Sequence, residues 1–217
     1  MTTTHHPAAD TLAAYAGGWL DAGRRLVIAA HIELCPSCQR WQAAFERVGG
    51  AMLEQTPPVA MRADALQQAL ARLDAVEPAP ARHPAQSTQA VLDLPMLPDV
   101  VKSHPIGPWS WIGRGIHHRP VTLPEAGGAR VFMLKVGPGI QLPKHTHTGT
   151  EMTLVLSGAF SHAGGRFGPG DIEEADDTVD HVPVVEAGEA CVCLVAMEGQ
   201  LRLLGPFGRL LQPLVRF

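Results

Sequence analysis

Cysteine is scarce in this chain. Four occur among 217 residues, at Cys35, Cys38, Cys191 and Cys193. Each pair lies too close in sequence to staple a fold, which excludes a disulfide-held scaffold. A C-x-x-C without that role reads as a metal or redox pair. Basic side chains are thinly spread as well. Net charge is −4, and Lys and Arg form no run or stripe. Nucleic-acid binding rests on phosphate neutralisation, so no direct grip on DNA or RNA is expected. No apolar stretch reaches membrane-spanning length, which argues against a membrane partner. The opening "MTTTHHPAADTLAAYAGGWLDAGRR" lacks the basic start, apolar core and cleavage site of an export signal. The expected location is therefore the cytoplasm. Hydrophobic residues at 46% and charged residues at 18% are ordinary for a globular chain, and the length suits one large or two small domains.

Residues 1–76 carry helical periodicity. Leu26, Ala29, Ala30 and Ile32 fall about one turn apart. Trp41, Phe45, Val48 and Met52 follow a second face, and Leu66, Leu70 and Leu73 a third. Pro36 suits the first turn of a helix capped by Cys35, and "TPPV" at 56–59 separates the last two helices. Residues 77–90, "EPAPARHPAQSTQA", read as a Pro/Ala-rich linker. From residue 91 to 217 the pattern changes to short apolar runs bounded by Gly, Pro and Asp, such as "ARVFMLKV" and "EMTLVLSGAF". That predicts an all-β barrel or jelly roll. The fold expected is α + β in two domains: a small helical bundle, then a β-barrel.

"HIELCPSC" places His31, Cys35 and Cys38 at H-x3-C-x2-C spacing. His31 and Cys35 are four apart on a helix, and Cys38 begins the next one, so three ligands converge at a helix–helix corner. Imidazole and thiolates suit Zn²⁺, which takes four ligands in structural sites. His6 is the best fourth candidate, with His5 beside it as the fallback. A core of this size rarely supplies more than about 3–5 kcal/mol, against an apparent ~10–16 kcal/mol from zinc in small zinc-folded peptides.

A second constellation lies in "GIQLPKHTHTGTEMTLVLSG": Gly139-x5-His145-x-His147-x3-Glu151-x6-Gly158. His145 and His147 share one face of a strand, Glu151 opens the next strand, and His181 follows in "DHVPVV". Three histidines and a carboxylate directed into a barrel make a site for zinc or another divalent metal. The pattern resembles the first cupin motif at every defined position. The second cupin motif matches in part: Pro169 and Gly170 are present, His181 lies ten residues beyond Gly170, and Val185 stands where an Asn closes the motif. Glu173, Glu174, Asp176 and Asp177 read as a solvated acidic loop. Cys191 and Cys193 share a strand face, as buried core thiols or as a redox pair near the metal. His117 and His118 read as surface residues.

The pairing of a zinc-ligand helical domain with a cupin resembles the ChrR-type zinc anti-sigma factors. The resemblance runs through His6, "HIELCPSC", "EQTPPVA", "HTHTGTEMTLVLSGAF", "RFGPGDIEEAD", "DHVPV" and "CVCL". It implies a helical domain that embraces an extracytoplasmic-function sigma factor, with zinc on His6, His31, Cys35 and Cys38. It implies a second metal on His145, His147, Glu151 and His181, and a response to singlet oxygen or related oxidants. The fourth helix, with Leu66, Leu70 and Leu73, and part of the Trp41–Phe45 face are the contact surface expected. The competing readings are a metal-dependent, dioxygenase-like cupin enzyme and a sensor that binds an effector at an open metal position.

Overall fold

The computed structural model describes residues 3–74, 94, 97–124 and 128–204. The segment expected to be the linker lies outside the described residues. The helical half contains α1 (Ala9–Ala16), α2 (Ala22–Leu34), α3 (Pro36–Glu54) and α4 (Ala65–Asp74). A short α5 (Asp99–Lys102) precedes the strands. Asp21 caps α2, its carboxylate accepting from the backbone N–H of Gly23 at 2.9 Å and Arg24 at 3.0 Å. Cys35 ends α2 in an extended conformation and serves as the N-cap of α3, with Pro36 at the first helical position.

The strands are β1 (Ser110–Gly113), β2 (Ile116–Val121), β3 (Arg130–Val136), β4 (His145–His147), β5 (Glu151–Ser157) and β6 (Phe160–His162). They continue as β7 (Gly165–Phe167), β8 (Ile172–Ala175), β9 (Val184–Val185), β10 (Cys191–Met197) and β11 (Leu201–Leu203). They form a six-stranded sheet in the order β1-β2-β3-β10-β5-β8, a pair β11-β4, and a three-stranded sheet β7-β6-β9. The expected barrel is thus two walls and not one closed sheet. Single bridges, His145 to His181 and Gln141 to Val184, join the two small sheets into the second wall.

The centre of the six-stranded sheet is buried on both faces, with β10 buried at all seven positions, whereas the edge strand β1 is exposed. Its inner face, with Phe132, Val155, Cys193 and Val195, meets the second wall. Its outer face, with Met133, Leu154, Leu194 and Ala196, shares a core with Leu26, Val27, Ile28 and Ala30 of α2. Gly23 permits the close approach, since a Cβ there would lie 3.0 Å from Ala129 Cβ and 3.1 Å from Val131 Cγ2. The apolar faces of α2 and of the sheet close one core, because the sheet's outer face has α2 to bury against.

Candidate metal centres

Two clusters bring the sequence-derived candidates together, buried except for His6, which is exposed. His6, His31, Cys35 and Cys38 each place one ligand atom within 4.8 Å of all the others. His145, His147 and His181 form a second such group.

At the first cluster, His31 is fully buried. Its Nδ1 lies 2.9 Å from the Gly170 carbonyl. A carbonyl only accepts, so Nδ1 carries the proton and Nε2 turns its lone pair toward Cys38 Sγ, 3.2 Å away. His6 Nδ1 lies 3.4 Å from Cys35 Sγ and 3.5 Å from Cys38 Sγ. His5 faces elsewhere: its ring packs on Phe167 at 4.3 Å and its Nδ1 is 3.6 Å from Asp171 Oδ2. Of the two N-terminal candidates, His6 is the one brought to the cluster. Burial, and then the neighbouring Cys35, push the Cys38 thiol up to about 12. Burial holds His31 down to about 4. A Cys38 thiol that resists ionisation needs a cation beside it to become a thiolate ligand, and the neutral His31 imidazole can ligate as it stands. The donor set suits a bound metal ion, which deprotonates coordinating thiols.

At the second cluster, β4 supplies His145 and His147, and β5 starts at Glu151. His145 Nδ1 lies 2.7 Å from the Pro143 carbonyl, and His181 Nδ1 lies 3.0 Å from Glu173 Oε1. Each ring therefore donates through Nδ1 and presents a bare Nε2. The two Nε2 atoms face each other at 2.9 Å, an approach of lone pairs that a cation relieves. The His147 side chain is fully buried; its Nε2 lies 2.9 Å from Glu151 Oε2, while its Nδ1 has no hydrogen-bond partner among the described residues. Thr153 holds the other oxygen of Glu151 at 3.0 Å. Burial acts against the Glu151 charge, yet His147 and His145 bring its carboxyl below the usual range. Burial lowers His145, while Glu173 outweighs burial at His181 and raises it. His181 therefore reaches this cluster despite its unusual spacing, because the 181–185 segment pairs with residues 141–145.

The acidic run needs correction. Asp176 and Asp177 are exposed in a turn, as expected of a solvated loop, but Glu173 and Glu174 lie on β8. Glu173 is buried between two histidines, with Oε1 2.7 Å from His162 Nε2 and 3.0 Å from His181 Nδ1. Glu174 accepts from Ala8 N–H and the Thr11 hydroxyl of the helical half. The β-strand period explains the split, since alternate residues point to opposite faces. His118 is likewise not a free surface residue: it is half-buried against the Phe132 ring at 5.0 Å. Cys191 and Cys193 are free and buried, with sulfurs 3.6 Å apart.

Sequence reasoning missed His162 and Asp171, and the part the Gly170 carbonyl plays in holding His31. Asp171 accepts backbone N–H groups from Thr4 at 2.6 Å, His5 at 2.9 Å and Gly168 at 2.8 Å. Ile172 N–H returns a bond to the His5 carbonyl at 3.2 Å. These bonds strap the segment bearing His6 to the start of β8. The only available signal was the Asp directly after the "GPG" turn, the place where a side chain closes its own loop.

A family profile described as the ChrR cupin-like domain matches residues 99–201. The anti-sigma-E factor ChrR of Cereibacter sphaeroides is 38% identical over 218 residues, spanning 100% of each chain. This chain belongs to the ChrR family of anti-sigma factors. The crystal structure of Rhodobacter sphaeroides SigE in complex with the anti-sigma ChrR matches with a TM-score of 0.72 at 34% identity, covering 91% of this chain and 100% of that one. The ChrR family is one of regulators, so the enzyme reading falls away. No described helix is long and apolar enough to cross a membrane.

Proposed function

We propose that the chain is a cytoplasmic, zinc-dependent anti-sigma factor. It binds a sigma factor of the extracytoplasmic-function class and blocks it. The observation that carries this is the likeness, over 91% of this chain, to a ChrR solved together with SigE. The surface of the helical half supports it. Leu66, Leu70 and Leu73 repeat along α4 and are all exposed, as are Trp41, Val48 and Met52 on α3. Apolar residues at i, i+4 and i+7 on an unburied helix face suit the groove of a protein partner.

In this proposal Zn²⁺ is held by His6, His31, Cys35 and Cys38 and sets the angle between α2 and α3. A second zinc or other divalent ion is held by His145, His147, Glu151 and His181. The cupin half, residues 91–217, serves the response to singlet oxygen or a related oxidant, with Cys191 and Cys193 as the oxidisable pair. Residues 77–90 are the connection between the halves.

The test is co-expression with the extracytoplasmic-function sigma factors of the source genome, followed by size-exclusion chromatography and metal analysis. A one-to-one complex with two metals per chain is expected. Cys38→Ser should lower zinc by about one per chain and abolish the complex. Tight binding by a zinc-free Cys35→Ser/Cys38→Ser double variant refutes the zinc-dependent mechanism. A Cys191→Ala/Cys193→Ala variant that releases its partner normally under singlet oxygen removes the thiols from the response.

A further inference from the structure

Residues 170–174, at the turn into β8, touch both metal clusters in succession. The Gly170 carbonyl accepts from His31 Nδ1–H at 2.9 Å. Asp171 accepts the backbone N–H groups of Thr4 and His5, and Ile172 N–H binds the His5 carbonyl. The segment that carries His6 is thereby held against the start of β8. Glu173 turns the opposite way, and its Oε1 lies 3.0 Å from His181 Nδ1. Glu174 turns back to the helical half, accepting from Ala8 N–H and the Thr11 hydroxyl.

The turn has little freedom of its own. Asp171 Oδ2 accepts Gly168 N–H at 2.8 Å, and Asp171 N–H donates to the Gly168 carbonyl at 2.9 Å. Gly170 holds a φ of +90°, where glycine rests without strain. Gly170 N–H and the Asp171 carbonyl both bond Val155, at 2.8 and 3.0 Å, and Val155 lies on β5, the strand that begins at Glu151. A shift of β8 therefore moves the hydrogen-bond partners of both clusters together. Loss of such an outer partner typically costs ~10–100-fold in metal affinity. The cupin cluster supplies the bias. His145 Nε2 and His181 Nε2 face each other at 2.9 Å, and an ion between them holds His181 in the orientation that serves Glu173.

We propose that the two metal clusters are thermodynamically coupled through residues 170–174, each ion tightening the hold on the other, with Asp171 and Glu173 as the positioning residues. The coupling rests on the reading of both clusters as metal sites. It adds to the proposed anti-sigma function a route by which loss of the cupin ion loosens the corner between α2 and α3. Such coupling is reciprocal and typically amounts to ~5–150-fold in affinity.

The test loads the full-length protein with Co²⁺ and titrates it against a chelator of known affinity. Thiolate-to-cobalt absorption reports the cluster of Cys35 and Cys38, since His145, His147, Glu151 and His181 offer no thiolate. His147→Ala, on β4 and outside the 170–174 segment, should remove the cupin ion and weaken cobalt at the N-terminal cluster by about fivefold or more. In Asp171→Asn carrying both ions, adding His147→Ala should weaken it further by less than about twofold. Cys38→Ser should weaken the cupin ion by the same factor that His147→Ala weakens the N-terminal one, as read by equilibrium dialysis with metal analysis. Unchanged N-terminal affinity in a His147→Ala protein that has lost one ion overturns the proposal. So does unchanged cupin affinity in Cys38→Ser, a measurement independent of whether Asp171→Asn folds. A merely structural Asp171 lowers cobalt affinity equally with and without His147→Ala, and that result overturns the route. Sigma-factor co-purification is measured on the same samples. Two independent ions in a chain that keeps its sigma factor refute the coupling alone, whereas a chain that binds no ion at either cluster refutes the metal reading and the coupling with it.

Discussion

His31 serves two halves of the molecule with one ring. Its Nδ1–H is spent on the Gly170 carbonyl, which leaves Nε2 for the cysteine cluster. Such an outer partner fixes the tautomer and orientation of a metal-binding histidine. One residue further, Asp171 gathers the segment that carries His6. His6→Ala should therefore cost about one zinc per chain, whereas His5→Ala should leave zinc content intact, as read by inductively coupled plasma mass spectrometry. Burial works against the Asp171 charge, but its backbone N–H donors win and hold the carboxyl below the usual range. A carboxyl depressed on folding contributes stability above its unfolded value near ~3.9, and loses it as pH falls through the folded value. Asp171→Asn should lower stability by about 1–3 kcal/mol at pH 7, and the deficit against the parent chain should shrink below about pH 4. Chemical denaturation across pH would measure both. An equal deficit at pH 7 and pH 3 would show that charge plays no part.

At the scale of elements, α3 and α4 differ from α2. Helix α2 buries seven of its residues, whereas Cys38 is the only buried residue of α3. Phe45 still packs against the core, while Trp41 stacks on it at 5.9 Å and stays 55% exposed. An amphipathic helix whose apolar stripe meets solvent is marginal alone and gains most from a partner. Leu66→Asp and Leu70→Asp should weaken sigma-factor binding at least tenfold and shift the melting temperature little, because neither side chain is buried in the free chain. A large fall in melting temperature without loss of binding would place those leucines in the fold and not in the interface. Strand β8 is one of the elements where the halves meet. Glu173 faces the cupin histidines, and Glu174 faces α1 and its lead-in.

Across the whole molecule, the six-stranded sheet is a shared wall. Leu194 on β10 is fully buried within the cluster that includes α2. Leu194→Ala should cost about 2–5 kcal/mol. The loss should appear both in helical circular dichroism and in the rate at which a chelator strips the metal proposed for the N-terminal cluster. A change confined to one half would show that the two unfold as separate units. Acid should release metal from both clusters, since thiols must lose a proton and imidazoles must stay neutral to ligate.

Much of this was readable along the chain because it is local. H-x3-C-x2-C on a helix and H-x-H on a strand are set by backbone periods of 3.6 and 2. Those periods placed His31, Cys35, Cys38, His145 and His147 before any packing was known, and Pro36 fixed where one helix gives way to the next. Other features depend on pairings far apart in sequence. The choice of His6 over His5 depends on Asp171, more than 160 residues away. The arrival of His181 depends on a bridge to His145. Glu173 looked like one more surface acid, and only the alternation of β8 between the two walls turned it inward. The sequence by itself determined which side chains could bind metal. The tertiary structure decided which of them meet, because a buried polar atom must find its partner wherever the packing of α2 on the sheet brings one.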